Sequence, residues 1–302
     1  MYRNAFRYIL SLLAVSTLVA CDDGTDVLDS ARIRVLLTDA PSDYIASAMV
    51  DIGSVELLPA GGGDRVVLAE DGTDGPVDLL DLQGLTTELL ADLKIPSDTY
   101  VQMRLIVESA SVTLAEGYEF NSGGIEADLS VPSGAQTGIK LNLREDEEGG
   151  EESGGVQIAG GETVLVVDFD VNQSFRIQGS PNTPAGISGV SFRPTLRVVV
   201  EDVAGSISGT LSTSITDQTV EGLVVSADAV DPGVDEEFQS SMATVPSGTG
   251  GAYTIFFLAP GSYNVSVETP DGVTTDPAST EVTVGESEDV TGVDFQLVPV
   301  SG

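Results

Sequence analysis

Beyond residue 30, apolar and polar residues alternate along most of this chain with the period of two that belongs to half-buried β-strands. Ile33, Val35 and Leu37 fall on one face of a first strand. Val101, Met103, Leu105 and Val107 share a face of a later one, whose other side carries Gln102, Arg104 and Glu108. Between Val50 and Leu57 the apolar parity changes, from Val50 and Ile52 to Val55 and Leu57, across Gly53-Ser54. One inserted residue shifts a period of two in this way, so a β-bulge is predicted there. Further strands are predicted over 112–114, 139–143, 164–171 and 196–200. Leu85, Leu89 and Leu93 form a stripe at a spacing of four with Pro96 behind it, which predicts one short helix over 85–93.

The texture changes near Asp202 to Gly205, after which Ser, Thr and Gly become more frequent and the apolar runs shorten. Ile207 and Leu211 alternate with Ser208, Thr210 and Ser212. Tyr253, Ile255 and Phe257 share a face, Val265 and Val267 follow a turn at Pro260-Gly261, and Val293, Phe295 and Leu297 close the pattern. Six or seven short strands separated by turns predict a second β-sandwich of about 95 residues. The expected fold is therefore all-β, with one β domain over 31–201 and a second sandwich over 206–299.

The first thirty residues follow a different logic. Arg3 and Arg7 make a basic start, residues 9–19 are an apolar stretch too short to span a bilayer, and no acidic residue precedes Asp22. Cys21 is the sole cysteine and follows Leu18-Val19-Ala20. This stretch resembles the lipobox of bacterial lipoproteins, which implies removal of residues 1–20 and lipidation of Cys21. Each buried acyl methylene contributes roughly 0.8 kcal/mol, so several chains hold a soluble domain on a membrane. Residues 21–30, rich in Asp, become a polar tether. The plainer alternative is an ordinary secretory signal with a chance cysteine. The expected location is the cell envelope outside the cytoplasm, at the outer membrane or cell surface, with the outer leaflet of the inner membrane as the alternative.

Charge narrows the partners. The chain of 302 residues carries 48 acidic and 12 basic side chains, a formal net charge of −36. That field repels nucleic acid, so no nucleic-acid partner is expected. Divalent cations are weak candidates beside the plainer reading of a solvated acidic surface. There is no histidine, and lipidation would consume the only thiol. Serine-histidine-aspartate triads, cysteine proteases and histidine- or thiolate-ligated zinc sites are thereby excluded by inventory. Paired carboxylates remain, and with them glycoside hydrolysis. Asp168 and Asp170, two apart on a predicted strand, would present carboxylates about 6 to 7 Å apart on one face. They could join a calcium site, enter an ion-pair network with Lys140, or stay solvated at a strand edge. The loop 145–155, with Glu145, Asp146, Glu147, Glu148, Glu151 and Glu152, cannot bury apolar area.

Residues 31–201 resemble domain-of-unknown-function family 4382 of bacterial and archaeal envelope proteins. The carrying runs are Leu37-Thr38-Asp39-Ala40-Pro41, Asp78-Leu79-Leu80-Asp81-Leu82, Tyr100-Val101-Gln102-Met103-Arg104-Leu105, Val131-Pro132-Ser133-Gly134, Gly138-Ile139-Lys140-Leu141 and Asp168-Phe169-Asp170-Val171. The second half is similar to carboxypeptidase regulatory-like modules, on Gly250-Gly251-Ala252-Tyr253 and on the run from Leu258 to Val265. That resemblance implies a transthyretin-like, Ig-like sandwich of about seven strands, grouped with carbohydrate-binding-like folds, and implies no peptidase. Ser133, Thr137 and Lys140 are candidate ligand contacts, with turn chemistry as the plainer role of the segment. Tyr118, Phe120 and Phe238 are the aromatics that could form a sugar platform or, more plainly, anchor loops. The expectation is a non-catalytic, lipid-anchored binding or adhesion protein, with polysaccharide or another envelope component as partner and no cofactor. A ligand-free structural spacer and a carboxylate-based glycoside hydrolase are the alternatives.

Overall fold

The computed structural model describes residues 30–39, 44–70, 72–82, 88–131, 138–143, 154–180, 186–230, 241–244 and 250–300. Cys21, the tether up to Asp29, Ser133, Thr137, Phe238 and all but the last two residues of the acidic loop lie outside them. The described residues build an all-β protein whose side chains collect into two hydrophobic cores.

The first core belongs to thirteen strands among the described residues. They are β1 (Ser30–Asp39), β2 (Ile45–Pro59), β3 (Val66–Ala69), β4 (Val77–Asp78), β5 (Glu88–Pro96), β6 (Asp98–Leu114), β7 (Glu126–Leu129), β8 (Ile139–Asn142), β9 (Val156–Ile158), β10 (Glu162–Phe169), β11 (Phe175–Ser180), β12 (Gly186–Phe192) and β13 (Leu196–Val200). One sheet runs β13-β10-β1-β5, with β1 parallel to β10 and antiparallel to β5. The other is organised around the long antiparallel pair β2 and β6, which β3, β4, β7, β8 and β9 extend. A separate hairpin joins β11 to β12. Ile33, Val35 and Leu37 pack with Leu165, Val167 and Phe169 from one sheet against Val50, Ile52, Val55, Met103 and Leu105 from the other. Each such side chain contributes roughly 1.5–3 kcal/mol by leaving water. Leu36, Val164 and Val166, on the opposite face of the first sheet, are buried too, as expected for a parallel pair.

The parity change in β2 is the predicted bulge. Ile52 pairs with Val107 and Ser54 with Ile106, which leaves Gly53 as the extra residue. A second extra residue, Glu108, sits opposite, between the pairs Asp51–Ser109 and Ile52–Val107. Together they keep Val50, Ile52, Val55 and Leu57 facing the core across the break.

The predicted helix is overturned. The described part of that segment is β5, which pairs with β1 from Ser30–Pro96 to Leu37–Glu88. Leu90, Ala91 and Ile95 are buried while Leu89 is exposed, because a register break after Val35 shifts the strand by one residue. Leucine at a spacing of four suits a helix locally, but the unpaired edge of β1 supplies a full ladder of backbone partners, and tertiary pairing overrides propensity. Arg32 then reaches diagonally to Asp92 at 2.6 Å, a contact that a helix over the same residues would not make.

The second core belongs to nine strands among the described residues: β14 (Gly205–Thr213), β15 (Val225–Ala229), β16 (Ser241–Thr244), β17 (Ala252–Leu258), β18 (Gly261–Val267), β19 (Val273–Asp276), β20 (Ser279–Val284), β21 (Asp289–Thr291) and β22 (Phe295–Pro299). One sheet runs β17-β14-β22-β19 with β21 beside β14; the other runs β16-β15-β18-β20. Their inner faces share Ile207, Leu211, Ile255, Val265, Phe295 and Leu297. The expected inward position of Phe257 is corrected. The register of β14 with β17 slips between Ile255 and Leu258, so Leu258 takes the fully buried position and Phe257, with φ of 57°, packs against the core only partly buried. A left-handed bulky residue costs roughly 1–3 kcal/mol and has to be held by its surroundings.

Candidate functional site

Parallel pairing of β1 and β10 brings the ends of both strands to one place, with Thr38 opposite Asp168 and Asp39 opposite Phe169. Asp168 is almost fully buried there and receives Arg197 Nε at 3.1 Å on Oδ2, across the β10–β13 pair. Its Oδ1 is buried with no hydrogen-bond partner among the described residues. Burial raises the Asp168 carboxyl above the ordinary carboxylate range, and the charge and hydrogen bond of Arg197 only partly oppose it. The strand ends at Phe169, so Asp168 and Asp170 are not a pair on one strand face as the spacing suggests. Asp170 instead caps a helical turn over Val171–Ser174, its Oδ1 accepting from Gln173 N at 2.8 Å. Burial pushes Asp170 up to about 7; the Gln173 bond opposes the rise, Asp168 adds to it, Arg197 opposes it, and Asp228 adds to it.

Asp228 lies on β15, in the second unit, so this cluster sits where the two units meet. Arg197 crosses the junction. Its Nη2 donates to the carbonyl of Phe257, the residue in the left-handed conformation, at 3.4 Å. It also lies beside the Tyr263 hydroxyl, which donates to Ala259 O at 2.7 Å. One guanidinium with a planar fork of donors thus serves a carboxylate of the first unit and a backbone oxygen of the second. Arg197 was not picked out from sequence; its place opposite Asp168 in the β10–β13 register depends on a long-range pairing.

Lys140 does not join this cluster. It is exposed on β8, opposite Arg104 of β6; of the alternatives raised for Asp168, an ion pair is the one present, and its cation is Arg197 and not Lys140. Among the described residues no three carboxylate or thiol side chains converge so as to hold a metal ion. Among the described residues no helix is long and apolar enough to cross a membrane. Phe120 is buried in the first core and is no platform. Tyr118 is half-buried and meets Tyr44 edge to face, with ring centroids 5.3 Å apart.

Two clefts open elsewhere. One, of 430 Å³, runs along Val198 to Val200 and faces Ala259, Pro260 and Glu286 of the second unit. The larger, of 720 Å³, lies in the first unit between the end of β12 and the start of β8. Its lining joins Ile139, Val190, Phe192 and Pro194 to Ser191, Arg193 and Thr195. Neither Asp168 nor Asp170 lines either cleft.

The family model for the domain of unknown function DUF4382 matches residues 30–183. No match is found among curated proteins. Among solved structures the chain is similar to the minor pilin GBS52 of Streptococcus agalactiae, at 14% identity over 89% of this chain and 98% of that one, with a TM-score of 0.24. It is also similar to the shaft pilin SpaA of Lactobacillus rhamnosus GG, at 12% identity over 91% and 98%, with a TM-score of 0.22. The Bacillus anthracis TIE protein aligns at 11% identity with a TM-score of 0.23 over 90% of this chain, which spans 40% of that longer protein. Superpositions this loose carry no functional argument.

Proposed function

We propose a function from the premise that the chain belongs to the DUF4382 family, a domain of unknown function matched over residues 30–183: a non-catalytic binding protein of the cell envelope, tethered through lipid on Cys21, with a saccharide as its ligand class. The 720 Å³ surface cleft of the first unit supports this reading, because it sets an apolar floor beside hydroxyls and a cation, the combination a saccharide contacts. A glycosidase needs two carboxyls facing each other across such a hollow. The strongly perturbed carboxyls instead lie buried at the junction, one ion-paired and one capping a turn, and line neither cleft. The absence of histidine from the whole sequence also removes the commonest general base near neutral pH.

The lipid tether is supported by the run Leu18-Val19-Ala20-Cys21 after a basic, acid-free start. Radiolabelled palmitate should enter the wild-type protein and not the Cys21→Ala variant; equal labelling of both would remove the tether from this account. Binding is tested by probing envelope and algal polysaccharides with the full chain in detergent. No signal above background across neutral and acidic glycans would favour the spacer.

A further inference from the structure

We propose that the cleft between β12 and β8 selects a saccharide bearing a carboxylate, and that Arg193 is the residue that reads the charge. This deepens the saccharide reading above and rests on it. Arg193 follows β12, and its backbone N–H donates to Ser174 O at 2.7 Å, which fixes where its side chain begins. It lines the cleft and is exposed. Among the described residues no carboxylate lies within ion-pair distance of it. Among the described arginines Arg32, Arg34, Arg65 and Arg197 each have an acidic partner, whereas Arg193, like Arg104 and Arg176, does not and stays available to an anion from outside. Arg176, opposite Ser191 in the β11–β12 hairpin, is also exposed and, among the described residues, its side chain bonds only a backbone oxygen, Gln173 O at 3.2 Å. The hairpin therefore presents local positive charge on a molecule whose overall field repels anions.

The rest of the lining suits a sugar. Ile139, Val190 and Pro194 offer an apolar surface for a C–H face, and Ser191 and Thr195 carry hydroxyls whose hydrogen bonds among the described residues, at 3.5 Å to backbone oxygens, are at the weak limit. A guanidinium fork matches the two oxygens of a uronic acid carboxylate, which a neutral hexose lacks. Lys140 is next to Ile139 but lies beside Arg104 on the β6 ladder and is not part of the lining.

The probe is trigalacturonate, compared with the neutral trigalactose, in calorimetric titrations of the full chain in detergent. The wild type should bind the acidic trimer at least ten times more tightly than the neutral one. Arg193→Gln should erase that preference without moving the thermal transition, since the side chain is exposed, while Lys94→Gln, a cation removed from the other sheet, should preserve it. Equal binding of acidic and neutral trimers by the wild type would overturn acid selection yet leave saccharide binding standing. An acid preference that survives Arg193→Gln would overturn the assignment to this cleft. Silence toward both trimers and toward every glycan on the wider panel would remove this proposal together with the reading beneath it.

Discussion

The two units solve the same problem with different materials. In the first, the buried polar residues include three aspartates, Asp39, Asp168 and Asp170; in the second, those among the described residues are Ser206 and Thr275, both neutral. Glycines meet backbone in both units, but the shortest approaches are in the second. A Cβ on Gly209 would lie 1.8 Å from Val293 O, and one on Gly251, at φ of 69°, would lie 2.0 Å from Leu211 O. The first unit places its central bulge glycine differently: a Cβ on Gly53 would meet the flexible side chain of Glu108. Stability in the first unit should therefore respond to charge and pH, and in the second to volume. Both units share one device, a tyrosine hydroxyl bonded to a backbone oxygen four residues upstream, in Tyr100 to Pro96 and Tyr263 to Ala259.

The largest test of this contrast is Arg197→Ala. It leaves Asp168 buried without its cation, a change that costs about 3–5 kcal/mol. Hydrogen exchange should show lost protection in β10 and β13 and also at the end of β17, whose Phe257 carbonyl loses its donor. The double variant Asp168→Leu with Arg197→Met should recover most of the loss; failure to recover would mean that the guanidinium's bond to the second unit matters more than the ion pair.

A slightly smaller effect is expected from pH. Asp170 titrates at about 7 in the fold against roughly 3.9 in an unfolded chain, so between those values the folded state holds the extra proton. Stability should fall as pH rises from about 4 to 7, by up to about 4 kcal/mol, and level off above. Asp168, also raised by burial, acts with the same sign. Asp170→Asn keeps a capping side chain and removes the charge, so it should raise the melting temperature at pH 8 and flatten the profile. A variant with the wild-type slope would show that the pH response lies elsewhere.

Volume comes next. Gly209→Ala should cost about 1–3 kcal/mol or more, because the obstruction is backbone, whereas Gly53→Ala should cost less than about 1 kcal/mol, because Glu108 can swing aside. Chemical denaturation of both variants decides it, and equal losses would break the contrast. The smallest effect is expected at Arg32. Its pair with Asp92 is solvent-exposed, so Arg32→Gln should leave the transition where it is in physiological salt, although the pair draws Asp92 below the usual carboxylate range.

Much of the fold is legible in the chain itself. The period of two over Ile33–Leu37 and Val101–Val107, the parity change at Gly53 and the strands over 139–143 and 196–200 depend on neighbours a few residues apart, and the structure keeps them. The segment after Leu85 is ambiguous by the same test, since leucines four apart fit both a helix and a strand carrying a register break. The site is less legible. Spacing alone puts Asp168 and Asp170 on one strand face, and nothing near them in sequence signals that the strand stops at Phe169.

What the sequence determined alone is local or additive: alternating faces, a bulge where parity changes, the acidic field, and the reaction classes that a chain without histidine cannot run. What tertiary structure decided is non-local: that β10 lies parallel to β1, that Arg197 and not Lys140 faces Asp168, that Leu258 and not Phe257 takes the fully buried position, and that Arg193 lines a cleft with no acidic partner among the described residues. The division follows from the range of the forces. Side-chain alternation is written by bonded geometry within one strand, whereas the partner of a buried charge is fixed only when desolvation compels residues far apart in the chain to meet.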